Sequence, residues 1–169
     1  MELEFGVNSR FGRFPYKKAS NIINYALENG IKRFDTGYSY GNGKSQPLLA
    51  RCLASQIEKA REDISISTKC SAPNTEYIEY CIRKSIEIFK CGYIDNFHIW
   101  GPSMENLDKG EILHKLKCLK REGLVRLISV NTHQLPLIKK ISNGSYQEIQ
   151  GVLIDFNLLR QDRKKYIKN

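Results

Sequence analysis

Three residues whose types could together move a proton onto a carbonyl oxygen lie near one another in this chain: Asp35, Tyr40 and Lys69. A lysine ammonium buried beside a phenol favours the phenolate and lowers the tyrosine pKa from its reference of about 10. A neighbouring carboxylate would keep that lysine charged and oriented. The tyrosine could then hand a proton to a carbonyl oxygen as hydride arrives at carbon. A different chemistry competes for the same stretch, because Gly43-Lys44-Ser45 looks like the end of a phosphate-binding loop. That loop needs G-x-x-x-x-G-K-[ST] between a strand and a helix. Its first glycine would have to be residue 38, which is Tyr38, and Gly37 comes one position too early. A tyrosine there would also obstruct the backbone N–H groups that must crowd a phosphate. The phosphate-loop reading fails.

The elements that must position these residues alternate short strand-like runs with longer helical ones. Strands are expected at 3–7, 33–36, 64–69, 94–100, 125–131 and 149–156, and helices at 15–29, 46–60, 75–90, 107–122 and 134–142. In the first helix Ile22, Ile23, Ala26 and Leu27 share one face and Gly30 stops it. Strands alternating with helices imply right-handed βαβ units and a parallel sheet. The turn after the first strand, "NSRFGRFP", lacks the Gly-rich pattern of an open dinucleotide-binding sheet. Several strands have one polar face. Asn96, His98 and Trp100 oppose Phe97 and Ile99; Ser65, Ser67 and Lys69 oppose Ile64, Ile66 and Thr68; Arg33 and Asp35 oppose Phe34. An open sheet covered on both sides would be apolar on both faces. The pattern therefore predicts an α/β barrel of six parallel strands with a polar interior. Asp35, Tyr40 and Lys69 then gather at the C-terminal mouth, where barrel enzymes place their chemistry. No linker or repeat interrupts the series, so residues 1–169 form one domain.

Composition narrows the classes. Hydrophobic residues make up 41% and charged residues 27%, the proportions of an ordinary soluble protein. No apolar run approaches the roughly 20 residues of a membrane span, and the N-terminus lacks a secretory pattern. Five cysteines (Cys52, Cys70, Cys81, Cys91, Cys118), odd in number and without C-x-x-C spacing, argue for reduced thiols in a cytoplasm. With His98, His114 and His133 scattered, no metal site is expected. The net charge of +9 raises nucleic-acid binding, but the basic residues are dispersed and lack an aromatic-basic stacking motif. A solvated basic surface is preferred to a polyanion-binding face.

The motifs resemble the aldo-keto reductase family. "GIKRFDTGYSYGNGKSQPLLARCL" is similar to that family's G-x-x-x-F-D-T-A-x-x-Y-G segment, with Gly37 in place of alanine. "ISISTK" is similar to its I-x-T-K strand, and "SIEIFKCGYIDNFHIWGP" resembles its S-L-x-x-L-x-x-x-Y-I-D-L-x-x-x-H-x-P segment. "LKREGLVRLISVNTH" and "FNLL" match two further motifs in the same order. The resemblance implies a TIM-type (β/α)8 barrel topology, incomplete here with about six parallel strands present, and NADPH-dependent reduction of an aldehyde or ketone, with Tyr40 as general acid, Lys69 as its pKa modulator and Asp35 as the lysine's partner. It also assigns Asn131 and Thr132 to the pair that clamps the nicotinamide carboxamide. The glutamine that often joins them falls on Leu153.

The chain departs from the family where a catalytic histidine is expected. That position is Trp100, whose indole can donate one hydrogen bond but cannot titrate. Losing one donor to a developing oxyanion typically costs on the order of 10²–10³ in rate. His98, on the same strand face but about 6–7 Å deeper, either substitutes for it or is a hydrogen-bonded interior histidine. Tyr38 either faces substrate or lies on a surface loop. Cys70 is read as an inert packed thiol, Arg33 and Asn96 as interior polar groups, and Asp95 and Asp155 as structural. A complete barrel of this type takes about 250 residues, roughly 31 per unit, so 169 residues are expected to supply five to six units. The sixth helix should begin in "LLRQDRKKYIKN". The absent units are those with which the family holds the cofactor's phosphates. Unpaired edges at strands one and six would favour a homo-oligomer or a partner subunit, unless the chain is a shortened piece of a longer protein. The alternative function is a non-redox descendant: a partner subunit, or a lyase-like acid–base enzyme needing no cofactor.

Overall fold

The computed structural model describes residues 3–159, 161, 162 and 164–166. Six strands form one parallel sheet in strict chain order: β1 (Glu4–Gly6), β2 (Arg33–Asp35), β3 (Ser65–Cys70), β4 (Ile94–Trp100), β5 (Val125–Asn131) and β6 (Gly151–Leu153). A doubly wound sheet reverses its strand order partway across; this one does not. Right-handed crossovers in constant order put every helix on one side and leave the other side as a polar, curled interior. The result is the incomplete barrel that the one-sided strand patterns predict.

The outer layer comprises α1 (Tyr16–Glu28), α2 (Ser45–Lys59), α3 (Thr75–Phe89), α4 (Met104–Asp108), α5 (Glu111–Arg121) and α6 (Leu135–Ser142). α1 buries Ala19, Ile23 and Ala26, at the i, i+4, i+7 spacing of one helical face. Asn74 caps α3 by accepting the Tyr77 N–H at 2.8 Å, which satisfies an otherwise orphaned donor. Inward-facing helix residues such as Leu49, Leu53, Ile78 and Ile82 meet the outward side chains Phe34, Ile66, Phe97 and Ile99, all fully buried. Two expectations need correction. The single helix at 107–122 is two helices, broken where Gly110 adopts φ 77°, a conformation that an uninterrupted helix cannot contain. The sixth strand is Gly151–Leu153, well short of 149–156. The expected start of a sixth helix falls partly outside the described residues, among which Lys164–Tyr166 forms a 3-10 turn.

The N-terminal end of the sheet is tied by Arg61. Its guanidinium donates to the carbonyls of Ile64, Cys91 and Tyr93 and pairs with Asp95 at 2.7 Å. The same Asp95 oxygen accepts the Ile66 N–H at 2.8 Å, stitching β3 to β4. The Tyr93 ring lies between the guanidinium groups of Arg61 and Arg126, at 3.9 and 3.8 Å. Among the described residues no helix is long and apolar enough to cross a membrane.

Candidate active site

Sheet register delivers the chemistry-bearing side chains to one rim. Asp35 is the last residue of β2 and pairs in register with Ser67. Lys69 lies beside His98 on β4, and Trp100, the last residue of β4, lies beside Asn131 on β5. Because side chains alternate with period two, Ser67 and Lys69 share the interior face with Asn96, His98 and Trp100. Beyond β2 the chain stays tied to β3: Thr36 N–H donates to the Ser67 carbonyl at 3.0 Å and Tyr38 N–H to the Lys69 carbonyl at 2.9 Å. A tight turn then brings Tyr40 back over the strand ends.

Lys69 is only 2% exposed, and its amine hydrogen-bonds and ion-pairs with Asp35 Oδ2. The amine also stands 5.2 Å from the centre of the Tyr40 ring. Tyr40 meets the Trp100 indole edge-on, with ring centres 5.9 Å apart at 88°. The four residues expected at the site are therefore together. One expectation is not met. Among the described residues no hydrogen bond joins the Lys69 amine to the Tyr40 hydroxyl, and the phenol pKa is raised, first by burial and then by the Asp35 charge. The amine bonds the carboxylate and not the phenol. Asp35 is itself raised, because burial outweighs the favourable Lys69 charge.

One feature escaped the reading from residues, and a second was read without its neighbour. Gly37 carries no side chain where the Tyr40 ring lies, and a Cβ built there would sit 2.9–3.1 Å from three ring atoms. The replacement of alanine by glycine was visible in the sequence as a departure from the motif, but the ring it accommodates was not. The second is His98. It is interior, 4% exposed, and among the described residues neither ring nitrogen has a hydrogen-bond partner within normal distance. Its Nε2 lies 4.0 Å from Asp35 Oδ1, which is likewise buried and unpartnered. Burial, and secondarily the Lys69 charge, push its imidazole pKa down to about 4.

The sequence of residues 2–168 matches that of the aldo/keto reductase family. The chain belongs to the aldo/keto reductase family. An uncharacterized oxidoreductase, YqkF of Bacillus subtilis (strain 168), is 26% identical over 163 residues, covering 89% of this chain and 51% of that protein. Methylglyoxal reductase DkgA of Yersinia pestis is 25% identical over 121 residues, covering 70% and 42% respectively. The chain thus spans about half the length of the curated relatives it matches. The holo form of aldo-keto reductase AKR11C1 from Bacillus halodurans superposes with a TM-score of 0.85 at 22% identity, over 98% of this chain and 56% of that one, a likeness of fold.

In this aldo/keto reductase chain the remaining candidates fall as follows. Asn131 is half-buried at the end of β5, and among the described residues its amide has no hydrogen-bond partner. Thr132 is buried and its hydroxyl accepts the Gln134 N–H at 3.2 Å. Leu153 closes β6 as a partly exposed apolar residue. Tyr38 is half-buried and packs edge-on against Tyr80 at 6.0 Å, away from the Asp35–Lys69 pair. Cys70 is buried, and its thiol pKa is raised by a hydrogen bond with Cys81 and by burial. Asn96 accepts a hydrogen bond from Ser129 at 2.7 Å and serves the interior. No group of three or more metal-ligating side chains occurs among the described residues.

Proposed function

We propose that Tyr40 is the proton donor in an NADPH-dependent reduction of an aldehyde or ketone. The observation that carries this reading is the meeting of Asp35, Lys69, Tyr40 and Trp100 at the C-terminal ends of β2, β3 and β4. NADPH, when bound, supplies the hydride. The unpartnered Asn131 amide fits the carboxamide of a nicotinamide, and Thr132, whose hydroxyl proton is still free to be donated, would assist it. Tyr40, with its pKa raised, stays protonated at neutral pH and so donates its hydroxyl hydrogen bond to the carbonyl oxygen. As the oxygen gains negative charge it takes the Tyr40 proton, and water restores the phenol. The Lys69 amine near the ring offsets the charge left on the phenolate, while Asp35 fixes the amine. Trp100, edge-on to the Tyr40 ring, would shape the pocket beside it. The five free cysteines support a reducing, cytoplasmic setting.

Trp100 is the only tryptophan, so its emission reports directly on the rim. Titrating the protein with NADPH should quench that emission saturably, and NADPH consumption can be followed with methylglyoxal as the probe carbonyl. Tyr40→Phe should retain binding and lose about 10²-fold or more of turnover, the range of a general acid. Absence of NADPH binding up to millimolar concentration removes the reductase reading. A second reading then stands: an acid–base enzyme without cofactor, or a partner subunit. It is favoured by the engagement of the amine with Asp35 and not with the phenol, and by the non-titrating indole at residue 100.

A further inference from the structure

The interior of the half-barrel holds two buried polar groups that face one another unsatisfied. Asp35 uses Oδ2 to hold Lys69, while Oδ1 has no partner. His98, two strands along on β4 and two residues below Trp100, has both ring nitrogens unpartnered among the described residues and Nε2 4.0 Å from that same Oδ1. Buried polar groups are almost always hydrogen-bonded, and a carboxylate oxygen is the strongest kind of acceptor. The gap exceeds a normal N–H···O distance of about 2.9 Å by about 1 Å, a displacement that a small rotation of the imidazole supplies. It is too short for a well-formed water bridge, whose two bonds of about 2.8 Å at a tetrahedral angle span roughly 4.6 Å.

We propose that His98 is a positioning residue of the site: its Nε2–H donates to Asp35 Oδ1 and holds the carboxylate in the orientation in which Oδ2 grips Lys69. The carboxylate is then fixed from both sides, by the amine of β3 and the imidazole of β4, and the amine is presented to the Tyr40 ring. The donor is a neutral ring, since burial and the adjacent Lys69 amine oppose a second proton. The charged or titratable groups around it are Lys69 on β3, Asp35 on β2 and, beyond Asp35, Glu4 on β1; its β5 neighbour in register is the uncharged Ser129. Tyr40 closes the cluster from the loop above. The tryptophan at residue 100 removes an imidazole from the rim, and His98 places one beneath it, acting on the reaction through Asp35 instead of on the substrate oxygen. This role deepens the proposed reductase chemistry and rests on it for its purpose, though the hydrogen bond itself does not.

The test needs neither substrate nor cofactor. Long-range ¹H–¹⁵N correlation spectra of the full chain resolve its three imidazoles, His98, His114 and His133, with assignment by His98→Gln. The expected spectrum shows His98 neutral to below pH 5 in a single tautomer protonated at Nε2. Asp35→Leu should release it to a mixture of tautomers. In parallel, the ¹³C carboxyl resonance of Asp35 should titrate about 1 pH unit higher in His98→Leu, as loss of one hydrogen bond to a charged group implies. His98→Gln, which retains a donor of similar reach, should restore the wild-type midpoint. A tautomer protonated at Nδ1, or a mixture insensitive to Asp35, overturns the proposal; so does an Asp35 midpoint that His98→Leu leaves unmoved. Should His98→Leu fail to fold, the wild-type tautomer alone decides. Since no turnover is measured, a failure here leaves the reductase reading intact, and absence of NADPH binding leaves the hydrogen bond standing.

Discussion

The Asp35–Lys69 pair can be weighed by removing its members singly and together. Lys69 is 2% exposed and Asp35 15% exposed by side chain. Asp35→Leu would leave a buried amine with no counter-charge, for which the cost is about 3–5 kcal/mol. Lys69→Met should cost less, because the surviving carboxyl can protonate, helped by the burial that already raises its pKa. The double variant leaves no buried charge, and replacing a buried pair by apolar groups of similar volume is commonly close to neutral. It should therefore recover most of the Asp35→Leu loss, giving a favourable coupling of about 2–3 kcal/mol. Urea denaturation followed at pH 7 by circular dichroism and by Trp100 emission measures this. With a slope of about 2 kcal/mol per M, Asp35→Leu should lower the midpoint by about 1.5–2.5 M, and the double variant by far less. Single losses that simply add, to within about 0.5 kcal/mol, would refute an energetically linked pair.

Two further outcomes follow from the same rim and interior. Gly37→Ala puts a Cβ 2.9 Å from Tyr40 Cδ1, so the ring must move by about half an ångström to reach ordinary contact. Trp100 emission should change and the Tyr40-dependent rate should fall, with stability altered by less than about 1 kcal/mol, since the half-buried ring can yield; unchanged emission and rate would refute the contact. His98 has a folded-state pKa near 4, below its unfolded value of 6.5. Its contribution to stability is thus present above pH 6.5 and is lost as pH falls toward 4, on the order of 3 kcal/mol in all. His98→Gln should remove that part of the acid slope in denaturation midpoints measured between pH 7 and 4, and an unchanged slope would exclude the titration.

How much of this was legible in residues alone varies with what each feature depends on. Strand polarity was enough for the barrel: Phe34 and Phe97 pack under the helices while Asp35 and His98 turn inward, and an alternation of period two has a single geometric meaning. The meeting of Asp35, Lys69 and Tyr40 was legible for the same reason, since strand ends in register share a rim. Helix 107–122 was misjudged because one glycine, Gly110, is tolerated in some helices and breaks others, and composition cannot tell which. The direction of the Tyr40 pKa was missed because it depends first on burial and then on the Asp35 charge, while the amine bonds the carboxylate. How deeply a ring is buried is set by rotamers and packing, and neither leaves a trace in residue spacing. The His98–Asp35 juxtaposition connects strands β2 and β4 across β3, a contact that only the register makes visible.

Arg61 and Asp95 lie at the opposite pole from the chemistry, and this separation has a consequence for how the rim can change. By seizing the Ile66 amide, Asp95 dictates which way every later side chain of β3 turns, Lys69 included. A slip of one residue would rotate that amine outward among the helices. Because alignment is set from below, the upper edge can carry an indole at residue 100 and a bare backbone carbon at residue 37 without disturbing the register. Register and reactivity are thus held at opposite ends, so that a change at the rim can cost stability without shifting the strands.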